Sequence, residues 1–393
     1  MQELNIKYYK YRPDSGYEYY HTTNDKLKLV NSRNIKSYIY NIETHFNLKY
    51  AESDKIVFIF FSHSFLDVVR SITKDAFTDT IISNIKTGIT KKVILFCEDM
   101  DWYSDNDAVP EIIKTFNELF GNDIDKLYIT LTNRNWKFNW GNLNVQYNLG
   151  CFPFVFELNY EQSYRYDLTK LDRPNHFFSN QNEPRGARMY FYKFLIDNNL
   201  LDKFEYSFFF KHSDKQFLNW SNIEGGRDTL DNIDNFEFPV KIFDNETQDD
   251  FYKKLKIINF EKSLNGYIDV NMETALFNRD FFGFSEKTFK SIITKKPFII
   301  FGSHFTYKGL HEMGFKTFPT LFNESKLDNG FKEWEFKERL QFFLDEVKRI
   351  ADMDINLIKQ YYIDNLEVCE FNYAHLLRLI DKDYNTFKNL ITI

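Results

Sequence analysis

The sequence predicts an α/β fold made of two successive domains. Strand-sized apolar runs alternate with amphipathic segments of helical spacing, and this alternation breaks once near the middle of the chain. At 393 residues the chain is also too long for one ordinary core.

The first alternation begins at Lys55–Phe65 (KIVFIFFSHSF), a β-branched and aromatic run that reads as a buried parallel strand opening into Ser62-His63-Ser64. DTIISNIKTGI follows with helical spacing and Gly88 as its stop. Lys91–Asp99 (KKVILFCED) is the next strand and ends in acids. Ile112–Gly121 is an amphipathic helix, and Asp125–Asn133 (DKLYITLTN) a third strand. VQYNLGCFPFVFEL carries a further strand, interrupted at Gly150 and Pro153.

Tyr160–Asn175 is polar, holds Pro174 and has no period, which puts the domain boundary at residues 172/173. The alternation resumes with the strand HFFSNQN from His176. A helix follows over Ala187–Leu201, marked by Met189, Phe191, Tyr192, Leu195 and Ile196. EYSFFF, GYIDVNMET and PFIIFGS are further strands, with a helix after Ser285. Lys211–Thr247 reads as irregular, and the chain from Phe331 onward as helical. The expected domains are therefore 1–172 and 173–393, facing a cleft.

Composition narrows the class. The chain is 43% hydrophobic and 27% charged, enough for a large core and a solvated surface. Its 44 Phe and 25 Tyr fit an AT-rich coding bias, so single aromatics are not read as binding platforms. A net charge of −7 argues against a global basic field for nucleic acid, though not against a local groove. Cys97, Cys151 and Cys369 form neither a CxxC nor a Cys/His cluster, which fits a reducing cytoplasm and argues against structural zinc. The N-terminal residues MQELNIKYYKYRPDSGYEYY have no signal-peptide apolar region, and no run reaches the roughly 18 residues of a membrane span.

Open parallel sheets bind ligands beyond the carboxyl ends of their strands. That rule selects several groups. Ser285 is a candidate N-cap, with Glu286 in the first turn of its helix, where a carboxylate suits the dipole. Such a helix start can also receive a phosphate, with Lys287 neutralising its charge and Glu286 accepting ribose hydroxyls. Gly302, ending PFIIFGS, permits close backbone approach. Asn180, Arg185 and Arg188 sit where the strand from His176 turns into its helix, and a guanidinium fork matches diphosphate oxygens. Each of these also has a plain reading, as a capped surface helix or a solvated loop. Neither a Walker A loop nor a GxGxxG fingerprint is present.

FSNQNEPRGARMYFYKFL, followed about a hundred residues later by GYIDVNMETALFNRDFFGFSEKTFKSIITKKPFIIFGS, resembles the donor-binding half of α-1,3-fucosyltransferases and of related phage-type glycosyltransferases. Ser179-Asn180, Arg185/Arg188, Glu273, Ser285-Glu286-Lys287, Pro297 and Gly302 match that pattern in order, over about Pro174–Ser325. HEMGFKTFPTLFNES also matches the phage-type relatives. The resemblance implies a GT-B-like fold of two Rossmann-like domains and a nucleotide-diphosphate sugar donor held by the C-terminal domain. Glu286 would then hold the ribose, Lys287 with Arg188 or Arg185 the diphosphate, and Glu273 would lie near the sugar or ribose. It further implies a phage-encoded enzyme acting in a host cytoplasm. Ser285 replaces the usual Thr, and Asn271-Met272 replaces a residue pair that often ends in Phe, so the donor sugar stays open.

The N-terminal domain is expected to hold the acceptor and a general base, with Asp101, Glu98 and His63 as candidates at strand ends. Such acids are also common helix caps. No metal is expected, because Arg, Lys and helix dipoles stabilise the leaving diphosphate. The DMD triplets Asp99–Asp101 and Asp352–Asp354 are read as chance. Thr132–Asn142 interleaves Arg134 and Lys137 with Trp136, Phe138 and Trp140, which suits stacking on a base or sugar, or one buried aromatic face. The acceptors left open are a hydroxymethylated base in DNA and a glycan or protein. A nucleotide- or glycan-binding protein without turnover is the rival reading.

Overall fold

The computed structural model describes residues 2–12, 16–19, 48–52, 54–61, 76–97, 108–131, 139–147, 163, 165–180, 186–207, 258–273, 284, 286–332 and 335–391. The chain divides into two compact units, Met1–Phe154 with Arg378–Ile393, and Val155–Leu377.

The first unit is built on a mainly parallel sheet. Its strands are β1 (Gln2–Arg12), β2 (Gly16–Tyr19), β3 (Leu48–Glu52), β4 (Ile56–Phe61), β5 (Lys92–Cys97), β6 (Leu127–Leu131) and β7 (Asn144–Tyr147). They run in the order β2-β1-β4-β5-β6-β7, with β3 also on β1. Among the described strand pairs of this sheet, only β1–β2 is antiparallel. Consecutive residues Val93, Ile94 and Leu95 are all buried, as a strand covered on both faces requires. Helix α1 (Ala76–Lys86) buries Ile81 and Ile85, and helix α2 (Ala108–Phe120) buries Ile112, Phe116 and Phe120, one stripe at four-residue spacing. Both helices stop at glycines with positive φ, Gly88 and Gly121, as their spacing predicts. Strands β1, β2 and β3 are elements that the sequence reading did not identify.

The second unit carries a wholly parallel sheet of β8 (Asn175–Asn180), β9 (Phe204–Ser207), β10 (Gly266–Met272) and β11 (Phe298–Phe301), ordered β11-β10-β8-β9. Helix α3 (Gly186–Asp197) leads from β8 towards β9. A short helix α4 (Phe260–Ser263) precedes β10, and α5 (Glu286–Ile293) joins β10 to β11. The order reverses between β8 and β10. Right-handed crossovers in opposite directions from that point put α3 and α5 on opposite faces of the sheet. Every residue of β10 is buried.

Helices α6 (Thr306–Glu312), α7 (Glu324–Asn329), α8 (Phe336–Ala351), α9 (Ile355–Asp364) and α10 (Leu366–Ile391) complete the described chain. The residues of α10 from Arg378 belong to the first unit, where the Lys92 ammonium donates to the carbonyls of Asn389 and Leu390. The mixed α/β class with parallel sheets is thus as the alternation predicts. No helix among the described residues is long and apolar enough to cross a membrane.

Candidate functional site

The strand-order reversal between β8 and β10 is the topological switch point of the second sheet, where open α/β sheets form a crevice beyond the strand ends. Four of the sequence-predicted residues lie there. Asn180 is the last residue of β8, and Arg188 is in the first turns of α3. Glu273 directly follows β10, and Lys287 is the second residue of α5.

Pleat alternation sorts the residues between the two faces. On β8, Phe178 and Asn180 share a face; on β10, Asp269, Asn271 and Glu273 share one. Phe178, Asn180, Asp269 and Asn271 line a single recess together with Lys287, Lys290 and Thr294, so this is the α5 face. With Asn259 the recess brings two lysines and three side-chain amides to the α5 face of the sheet.

The polar groups of β10 are held from α5 and the turn after it. Thr288 Oγ1 donates to Glu273 Oε1 at 2.5 Å, and the Glu273 amide donates to Phe301 O at 2.8 Å. Asn271 Nδ2 donates to Ser291 Oγ at 2.7 Å and to Lys287 O at 3.4 Å. Asp269 pairs with the Lys296 ammonium, which also donates to Ser263 O at 2.9 Å and lies over the Phe178 ring. Lys296 is wholly buried, and that burial pulls its pKa down to about 8 against the opposing pull of Asp269. Thr288, Ser291 and Thr294 are buried, so α5 turns a hydroxyl edge to the strand and packs Phe289, Ile292 and Ile293 into the core.

On the opposite face, Arg188 is 1% exposed and donates from Nη2 to Met272 O at 3.3 Å. It reaches the end of β10 from α3. Tyr192 donates to Ser207 O, so α3 is tied to β9 as well as β10, and Ser179 Oγ of β8 donates to Val270 O of β10.

Gly302 ends β11 in a closed turn. Its carbonyl and that of Ser303 accept from Arg339 Nη2 at 2.8 and 3.0 Å, and Arg339 Nε donates to Leu327 O. A Cβ on Gly302 would come 2.4 Å from Thr306 Oγ1. The turn continues through Phe305 at φ 63°, a left-handed conformation rare outside glycine. The amides of Tyr307 and Lys308 at the start of α6 donate to the Asp328 carboxylate. This chain's own side chains therefore fill that helix start.

Other predicted groups fall elsewhere. Arg185, Ser285, His63, Glu98 and Asp101 lie outside the described residues, as does the side chain of Glu286. In the segment Thr132–Asn142, Trp140 is buried and the residues through Phe138 are outside the description. Of the Asp352–Asp354 triplet, Asp352 pairs with Lys348, and Asp354 caps α9 by accepting from the Asn356 amide. Thr288 and Arg339 are not among the sequence-predicted residues, and Asn271 is there only as a departure from the family pattern. Thr288 could have been found, because it lies two residues after Glu286 on the helix face that meets the strand.

No protein-family model matches the chain, and no curated protein matches it. Six solved chains match in structure. They include an α,α-trehalose-6-phosphate synthase from Burkholderia multivorans (TM-score 0.41, 9% identity, over 86% of this chain and 70% of that one). A UDP-forming α,α-trehalose-phosphate synthase from Burkholderia vietnamiensis gives a TM-score of 0.40 at 10% identity, over 93% of this chain and 79% of that one. A trehalose-6-phosphate synthase studied for glycosyl transfer with retention gives 0.40 at 11% identity, over 91% and 78%. At such TM-scores the likeness assigns no activity to this chain.

Proposed function

We propose that the chain is a GT-B-type glycosyltransferase that moves a sugar from a nucleotide-diphosphate donor to an acceptor hydroxyl. One observation supports the reading: Asn180, Glu273 and Lys287, far apart in sequence, stand on the α5 face at the C-terminal ends of β8 and β10, at the switch point, and Arg188 reaches the end of β10 from α3 on the other face. The same residues carry the resemblance to nucleotide-sugar enzymes.

In this reading Lys287, with Lys290 beside it on the recess, offers positive charge to the diphosphate at the start of α5. Arg185 and Arg188 are the guanidinium candidates, Glu286 the ribose ligand and Ser285 the cap. Glu273 serves through Thr288, and Gly302 shapes the turn after β11. The acceptor oxygen forms a bond to the anomeric carbon as the bond from that carbon to the diphosphate oxygen breaks. The nucleoside diphosphate leaves, and the acceptor proton passes to a base, with Asp101, Glu98 and His63 as candidates in the first unit. The acceptor class is a hydroxymethylated DNA base or a glycan or protein hydroxyl, and the acidic net charge favours the second.

A thermal-shift panel of UDP, GDP, ADP, CMP and dTDP sugars tests the donor. A binder at a hundred times its dissociation constant adds about 2.7 kcal/mol. Release of nucleoside diphosphate by the wild type and its loss in Lys287→Ala supports transfer. Binding with neither hydrolysis nor transfer to any acceptor makes the protein a nucleotide- or glycan-binding module. No shift with any donor refutes the reading.

A further inference from the structure

We infer that Thr288 and Asn271 are positioning residues that lock the first turn of α5 against the end of β10, and so set where Lys287 stands at the recess. This rests on the donor reading above and extends it to residues that contact no donor.

The two ends of the lock are independent. Thr288 is wholly buried and its hydroxyl donates a hydrogen bond to Glu273, one residue beyond the end of β10. Asn271, 5% exposed within β10, reaches back to Ser291 Oγ and to the carbonyl of Lys287. Ser291 Oγ also lies 3.4 Å from that carbonyl. The backbone of Lys287 is thus held from strand and helix together, while its side chain is half-exposed on the recess. A helix of eight residues has too few internal hydrogen bonds to fix its own first turn, so the strand must supply the hold. An apolar pair at 273 and 288 would pack equally well. It would leave the turn free to slide along the sheet, because dispersion contacts are not directional whereas hydrogen bonds are.

The test compares full-length Thr288→Val, Thr288→Ser and Asn271→Ala with Ile358→Val, a core change in α9 of the same unit. Amide hydrogen exchange over 286–293 is read without ligand, and the dissociation constants of UDP and GDP are read by calorimetry. Thr288→Val should speed exchange at the start of α5 and weaken the nucleotide that binds by about tenfold, the effect of one hydrogen bond. Thr288→Ser should restore both. Ile358→Val should lower the melting temperature without either effect. Unchanged exchange in Thr288→Val, or equal loss of affinity in Ile358→Val, overturns the proposal. A wild type that binds no nucleoside diphosphate overturns the donor reading and the link to it, and the exchange rates still decide whether Thr288 holds the turn.

Discussion

Thr288 and Glu273 are fifteen residues apart in the chain and share a buried hydrogen bond that ties helix α5 to the end of strand β10. Breaking it from either side leaves a buried partner with reduced satisfaction. The Thr288→Val/Glu273→Leu double-mutant cycle should therefore give a coupling of about 1 kcal/mol or more, read from denaturant midpoints. A coupling of zero would mean that the two side chains are held by other groups.

Lys287 is the clean probe of the proposed donor site. It lines the recess and is half-exposed, so Lys287→Ala should change stability by less than about 0.5 kcal/mol while weakening nucleoside diphosphate binding about tenfold. Arg188 is a poor probe, because at 1% exposure its truncation removes a hydrogen bond inside the core as well as any ligand contact. Calorimetric titration of Lys287→Ala alongside its melting curve separates the two effects.

The Asp269–Lys296 pair predicts a strong asymmetry. Lys296→Met leaves the carboxylate buried without its cation and should cost about 3–5 kcal/mol. Adding Asp269→Leu removes that uncompensated charge and should restore most of the loss. Urea unfolding of the two variants checks this. A double mutant as unstable as the single one would show that packing, not charge, sets the cost.

Glu324 and Asp328 give the second unit a pH dependence. Burial raises the carboxyl of Glu324 from 4.5 to about 7 and that of Asp328 from 3.8 to about 6, against the hydrogen bonds from Thr317, Phe318, Tyr307 and Lys308. Groups whose folded pKa is raised bind more protons when folded, so their stabilising effect is complete below the unfolded values. It is lost as pH rises through about 4 to 7. For Glu324 alone the change is of order 3 kcal/mol between about pH 4 and about pH 8. Glu324→Gln, which keeps an acceptor for the Phe318 amide, should flatten the dependence of the urea midpoint over that range. A midpoint that keeps the wild-type slope in Glu324→Gln would contradict this assignment.

Two glycines should differ in tolerance. A Cβ on Gly266 would come 2.4 Å from the backbone of Phe177 in the neighbouring strand, whereas on Gly302 it would meet the hydroxyl of Thr306. Backbone in a parallel ladder cannot yield without parting the strands, so Gly266→Ala should cost about 3 kcal/mol. Gly302→Ala should cost less, about 1–2 kcal/mol, because Thr306 can give up its bond to Ser303 O. Melting temperatures of the two variants rank them directly.

The periodicity of the chain by itself determined most of the elements. The runs at Lys55, Lys91, Asp125, His176, Gly266 and Pro297 appear as β4, β5, β6, β8, β10 and β11, because strands covered on both faces must be continuously apolar. Gly88 and Gly121 marked helix ends because glycine takes the left-handed conformation at no cost. The β1–β2 hairpin escaped notice because Leu4, Ile6 and Tyr8 alternate amid Lys and Tyr, a weaker signal than a continuous run. The sequence also named Asn180, Arg188, Glu273 and Lys287 without saying what each touches. Only the tertiary structure decided that Glu273 and Asn271 face α5 while Arg188 reaches β10 from α3, and that Asp328 fills the start of α6. Strand order and crossover direction make those choices, and they arise from pairing between segments up to about a hundred residues apart, which no local pattern encodes.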